Sequence, residues 1–206
     1  LKNQHMAKKL KLTAKTANRY DLYEQSVQNV DFEVEFISKT FKKYNKSECT
    51  TLREDFCASA KISFAWIKSS PKNIAYAIDL DDDILGFAKK EFSESLEKNQ
   101  LSRIRLIKGN SLTKKTPKVD CVSAFNFSYW VFQDRRDLVK YFKNAYKNLS
   151  SKGLLMLDAF GGYEAHQELE EKTKYKDFTY CWDQHSFNPI TNSITCYIHF
   201  EFNDGS

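Results

Sequence analysis

The stretch TTLREDFCASAKISFAWIKSSPKNIAYAIDLDDD, residues 50–83, limits the architecture more than any other part of the chain. A β-rich run over residues 50–56 ends in the carboxylate pair Glu54 and Asp55. Small residues follow at Cys57, Ala58, Ser59 and Ala60, where a chain turns sharply into a helix. Ile62, Phe64, Ala65 and Trp66 give that helix its buried side, and Pro71 helps to end it. A second apolar run, residues 74–78, stops at Asp79. This is one βαβ unit with acid at both strand tips. In an open parallel sheet a ligand sits beyond the carboxyl ends of the strands, where the strand order reverses. A carboxylate at the second tip is suited to hold the two hydroxyls of a ribose.

A dinucleotide would need its pyrophosphate close to the backbone, hence glycine in the turn. No glycine lies between Glu54 and Asp79, and Phe56, Ala58 and Ala60 stand where glycines would be expected. A nucleoside without phosphates tolerates small side chains better, and S-adenosylmethionine (SAM) is such a ligand. The block LREDFCASA, followed by AIDLDDD, KGNSL, AFNFSYWVF and LDAFGG, resembles the class I SAM-dependent methyltransferases. The resemblance runs from about Tyr20 onward and is closest to a bacterial branch with an LREDFCG form of the first motif. It implies an α/β, Rossmann-like fold: a mostly parallel central sheet with flanking helices, here with an added C-terminal β-hairpin. Ala58 departs from that branch, which has Gly there, and this bears on cofactor affinity rather than on fold.

The chain of 206 residues suits one domain with a full core. No apolar run is long enough to cross a bilayer and no signal-peptide pattern is present. The five cysteines are odd in number and lack CxxC spacing, so they read as reduced thiols of a cytoplasmic protein. Net charge is +5, part of it in the run Lys8, Lys9, Lys11 and Lys15, which reads as a solvated basic arm. A small-molecule acceptor is therefore preferred to nucleic acid, and no membrane partner is expected.

The expected organisation is a basic tail (1–16), a helical lid (17–45), the SAM-binding core (46–160), and a helix plus hairpin on the substrate side (161–206). Asp31 is a point where a second helix can start within the lid. The resemblance makes Tyr23 and Gln28 lid contacts to the cofactor. It lays Glu54, Phe56, Cys57 and Ala58 along the methionine part, Asp79 on the ribose and Leu80 beside the adenine. Asn110, with Ser111, meets the adenine edge where many relatives carry an acid; an amide oxygen accepts the same hydrogen bond. Asn126 and Ser128 fall near the methyl group. Asn126 and Tyr129 are spaced like the ends of the Asn-Pro-Pro-Tyr motif of amino-group methyltransferases, with Phe127 and Ser128 in place of both prolines. Tyr129 and Trp130 are expected to contact substrate.

Further on, a helix is expected over 134–149 with Leu138, Val139, Phe142, Ala145 and Tyr146 inward. Residues 150–153 break it, a strand covers 154–160, and a short helix covers 163–174. Alternation over 178–187 and 194–202 predicts a hairpin. One face carries Phe178, Tyr180, Trp182, Ile194, Ile198, Phe200 and Phe202; the other carries Cys181, Asp183, His185, Thr195, Tyr197 and His199. Asp183, Tyr197 and His199 are the candidate substrate contacts. A zinc site from Cys181, His185, Cys196 and His199 is rejected, because regular strands put Cys196 and His199 on opposite faces. No metal is expected. The resemblance implies a helix and two strands after Phe202 for which no residues are found, so a missing C-terminal part is suspected. The favoured activity is methyl transfer from SAM, leaving S-adenosylhomocysteine. The alternatives are an RNA or protein methyltransferase and a SAM- or nucleoside-binding protein without catalysis.

Overall fold

The computed structural model describes residues 12–27 and 29–206, so the expectation for Gln28 and for most of the basic tail lies outside the described residues. The chain divides into two compact units, one being Asn29–Phe160 and the other the earlier residues with Gly161–Ser206. The segment read as one lid is two helices, α1 (Arg19–Val27) and α2 (Val30–Asn45), which belong to different units. Asn29 begins α2: its side-chain oxygen accepts the backbone N–H of Phe32, and Asp31 falls inside the first turn.

In the larger unit α2 is followed by β1 (Thr51–Asp55), α3 (Lys61–Ser69), β2 (Ile74–Asp79), α4 (Asp82–Ser95) and the single turn α5 (Lys98–Leu101). Then come β3 (Ile104–Lys108), β4 (Val119–Ala124), α6 (Arg135–Asn148) and β5 (Leu149–Leu157). All five strands are parallel, in the order β3-β2-β1-β4-β5. The order reverses between β1 and β4, which is where such a sheet opens a crevice at its carboxyl end. Leu52, Ala75 and Cys121 form one face, packed with Ile37, Phe41, Trp66 and Phe92 from α2, α3 and α4. Val122, with half-buried Tyr76 and Leu155, lies on the other face with Ala145 of α6. Alternation along β1 therefore sends Glu54 to the first face and Arg53 and Asp55 to the second.

Three expectations shift. On α6 the buried side chains are Tyr141, Asn144, Ala145 and Asn148, whereas Val139 and Tyr146 are exposed. The buried face is set by asparagines that bond a neighbouring loop, and hydrophobic spacing could not locate them. Residues 150–153 do not break a helix: α6 stops at Asn148 and β5 begins at Leu149, with an irregular register against β4 between Val119 and Cys121. The helix expected over 163–174 is one 3₁₀ turn, Tyr163–His166, followed by β6 (Leu169–Lys174). The run LEEKTK is polar throughout, so it carried no strand alternation to read.

The smaller unit is thus a three-stranded antiparallel sheet of β6, β7 (Phe178–Asn188) and β8 (Ser193–Phe202), with β7 central. Phe178 pairs with Phe202, Tyr180 with Phe200 and Trp182 with Ile198, as the hairpin reading requires. A bulge between Gln184 and Ser186 leaves His185 out of register. Leu22 of α1 packs with Phe178 and Phe202 in this unit's core. Among the described residues no helix is long and apolar enough to cross a membrane. None of the five cysteines is in a disulfide, and all but Cys196 are buried.

Candidate functional site

The turn from β1 into α3 is left-handed at alternate residues. Phe56 has φ 57°, Ala58 φ 48° and Ala60 φ 57°. These are the three positions at which glycines were expected, and the backbone adopts the glycine conformation without them. Each costs about 1 kcal/mol relative to glycine, because an L side chain crowds the following carbonyl. The conformation is held by tertiary bonds. Cys57 N–H donates to the Ile78 carbonyl (3.0 Å), and Ala58 N–H donates to Oδ2 of Asp79 (2.8 Å). The Asp79 carboxylate also accepts Asp81 N–H (3.0 Å). The two strand tips are therefore in direct contact.

Glu54 is buried and reaches the first turn of α3, where its Oε2 accepts both the backbone N–H and the hydroxyl of Ser63. Ala60 at the helix start has no capping side chain. Glu54 supplies the cap from the neighbouring strand, where the helix dipole also favours a carboxylate. Burial pushes the Glu54 carboxyl up to about 8 against the Ser63 bonds, with Glu33 and Asp79 adding like charge. Glu33, in the first turn of α2, is raised by burial and by Asp158 just beyond β5. One Glu33 oxygen is buried without a hydrogen-bond partner. Four carboxylates from α2, β1, β2 and the end of β5 thus influence one another at one end of the sheet.

Asp158 has a second role. Its two oxygens accept the N–H groups of Asn126 and Phe127, at 2.8 and 2.7 Å. Those residues have φ 54° and 41°, so the turn after β4 is left-handed twice and is clamped by Asp158. Ser128 donates its hydroxyl to the Phe125 carbonyl (2.8 Å) and opens a 3₁₀ turn, Ser128–Val131. The Tyr129 ring lies 6.2 Å from Phe142, and Trp130, partly exposed, lies 5.6 Å from Phe127.

Other expected contacts are displaced from their simple roles. The Phe56 ring packs on Phe132 and Tyr141, and the Cys57 side chain belongs to the core, so each offers a ligand its backbone only. The Asn110 amide oxygen closes its own turn on Leu112 N–H (2.8 Å). Ser111 is buried, and its carbonyl accepts from Asn144 (2.7 Å) and Arg53 (3.4 Å). Leu80 is 64% exposed directly beside Asp79. On the second face of β1, Arg53 and Asp55 pair at 2.8 Å with no side-chain exposure, and the Tyr141 hydroxyl interacts with Asp55. Asp55 is thus held within the fold by Arg53, as Glu54 is by Ser63. Asp158 followed an apolar strand and was open to the same reading as Asp79; Glu33 had no local signal, since only tertiary packing brings α2 there.

Tyr23, Asp183, Tyr197 and His199 lie in the smaller unit. On one face of its sheet Asp183 Oδ2 is 3.4 Å from Nε2 of His199 and 3.8 Å from Nδ1 of His185, with the Tyr197 ring next to both histidines. Cys196 pairs with Gln184 and Cys181 with His199, so Cys196 faces away from the other three zinc candidates' side of the ladder. Among the described residues no three His, Cys, Asp or Glu side chains are grouped to hold a metal.

No protein-family model and no curated protein sequence matches the chain. Solved structures do. A SAM-dependent methyltransferase from Clostridium acetobutylicum superposes with a TM-score of 0.70 at 19% identity, over 91% of this chain and 74% of that one. The CcbJ methyltransferase from Streptomyces caelestis gives 0.70 at 10% identity, over 90% and 74%. A SAM-bound amino pentose methyltransferase of Micromonospora echinaspora, involved in calicheamicin biosynthesis, gives 0.65 at 11% identity, over 89% and 81%. The fold is the Rossmann-like fold of the class I SAM-dependent methyltransferases, with a three-stranded antiparallel sheet after the fifth parallel strand.

Proposed function

We propose that this chain is a SAM-dependent methyltransferase acting on a small molecule. The observation that carries the reading is the convergence of Glu33, Glu54, Asp79 and Asp158 at the carboxyl end of the sheet, beside a glycine-type turn. Such a cluster disfavours phosphates, and a bound cation would draw off the Glu54 proton. SAM is a phosphate-free nucleoside carrying a sulfonium and an ammonium, so the donor set fits it. The similar solved structure of an amino pentose methyltransferase supports a small acceptor of that kind.

Bound here, SAM would supply a methyl group already activated on positively charged sulfur. The chain's part is to hold and orient. Asp79 takes the ribose hydroxyls, Leu80 covers the adenine, and the Asn110 amide meets its edge, with buried Ser111 held behind it by Asn144. Glu54 and the backbone of residues 56–58 follow the methionine part, with Glu33 adding negative charge. Asn126 and Ser128, in the turn held by Asp158, stand near the methyl, and Tyr129 and Trp130 wall the acceptor side. These residues would hold an acceptor in line with the methyl and exclude water from the sulfonium, with S-adenosylhomocysteine as the leaving group. Calorimetry with SAM tests the reading, followed by assay of S-adenosylhomocysteine across amino sugars, amines and hydroxylated metabolites. Asp79→Asn is expected to weaken SAM binding at least tenfold, about 1.4 kcal/mol. Absence of SAM binding by the unaltered chain overturns the proposal.

A further inference from the structure

Away from the carboxylates, the larger unit carries a groove of about 370 Å³ between α6 and the loop after β3. Arg136, Lys140, Lys143 and Lys147 stand on the helix wall and Lys115 on the loop wall, all exposed. Steps of four, three and four residues put the four helical cations on one stripe. That spacing ordinarily carries apolar residues to a core; here it carries positive charge to solvent. Among the described residues no acidic side chain lines the groove. Among the described residues the four lysines form no ion pair, whereas Arg136 donates to Asp134 through two nitrogens, one at 3.0 Å, and feels Asp137 as well. The groove is pre-formed, because buried Asn144 at its base donates to the carbonyls of Ser111 (2.7 Å) and Lys114 (3.0 Å) and so ties the loop to the helix.

The stripe from Arg136 to Lys147 runs about 16 Å along the helix. A single phosphate group engages two or three cations, so an array this long suits a chain of phosphates. Tyr146, 79% exposed, flanks the stripe and offers a face on which a base can stack. A concave groove with cations on both walls admits a strand, whereas a flat bilayer cannot reach both walls at once.

We propose that this groove binds the backbone of a single-stranded nucleic acid, with its lysines sharing successive phosphates and Tyr146 stacking on a base. The inference uses none of the strand-tip residues and is independent of the SAM reading. The test is fluorescence anisotropy of a labelled oligouridylate of about 20 nucleotides, titrated at several salt concentrations. The unaltered chain is expected to bind at low salt. Replacing Lys115, Lys140, Lys143 and Lys147 by Ala should weaken binding at least tenfold and make the slope of log K against log salt shallower by about 3. Tyr146→Ala should weaken binding and leave that slope unchanged. A control removing equal charge, with Lys42, Lys43, Lys89 and Lys90 changed to Ala, should retain most of the affinity. Thermal melts monitor folding of each variant. No binding by the unaltered chain, equal loss in the control, or tighter binding to anionic vesicles through the same lysines overturns the proposal.

Discussion

Ala60 starts α3 with a left-handed backbone and no side chain to cap it, and Glu54 does the capping from β1. Ala58→Gly removes the steric cost of φ 48° at a residue outside the buried core and should raise stability by about 1 kcal/mol, read from urea midpoints at unchanged slope. Glu54 has a pH signature. Unfolded, it loses its proton near the ordinary 4.5; folded, it keeps the proton to about 8. Between those values the native state holds the extra proton, so rising pH removes stability by up to about 1.4 kcal/mol per unit. Glu54→Gln should therefore match the parent below about pH 4.5 and exceed it increasingly up to about pH 8, in thermal melts across that range. A difference of opposite sign would show that the carboxylate is ionised in the fold. A cation bound beside Glu54 would also draw off its proton, so SAM binding should tighten as pH rises toward 8.

At the scale of elements, α6 is held by polar bonds that its hydrophobic pattern hides. Asn144 reaches the Ser111 and Lys114 carbonyls, and Asn148 accepts Thr116 N–H (2.7 Å) while donating to the Asn144 carbonyl (2.7 Å). Asn144→Leu keeps the branched outline and removes bonds to one buried and one half-buried carbonyl. It should cost about 2 kcal/mol in chemical denaturation and loosen the loop that forms one wall of the cationic groove. The same contrast separates what was legible from what was not. The βαβ unit announced itself through apolar runs ending in acids, and the hairpin through alternation with period two. Strand β6, the true inner face of α6 and the acid Glu33 did not, because each depends on partners far along the chain.

At the scale of the molecule, the two units have unequal cores. The smaller rests on Leu22, Phe178 and Phe202, while the larger packs α2, α3 and α4 over the whole central sheet. Leu22→Ala should lower hydrogen-exchange protection in β7 and β8 by the equivalent of about 2–4 kcal/mol and leave β1 and β4 amides unchanged. Equal loss in both would mean that the units open together. Charge is also sorted within the larger unit, carboxylates at the strand tips and lysines along α6. From its residues alone this chain was bound to form a parallel α/β sheet with acids at the first two strand ends, since apolar period and turn chemistry are local. Which backbone positions turn left-handed without glycine, and which carboxylates share one field, was decided by the folded state. Hydrogen bonds from Asp79 and Asp158, and burial across separate elements, exist only when distant segments meet.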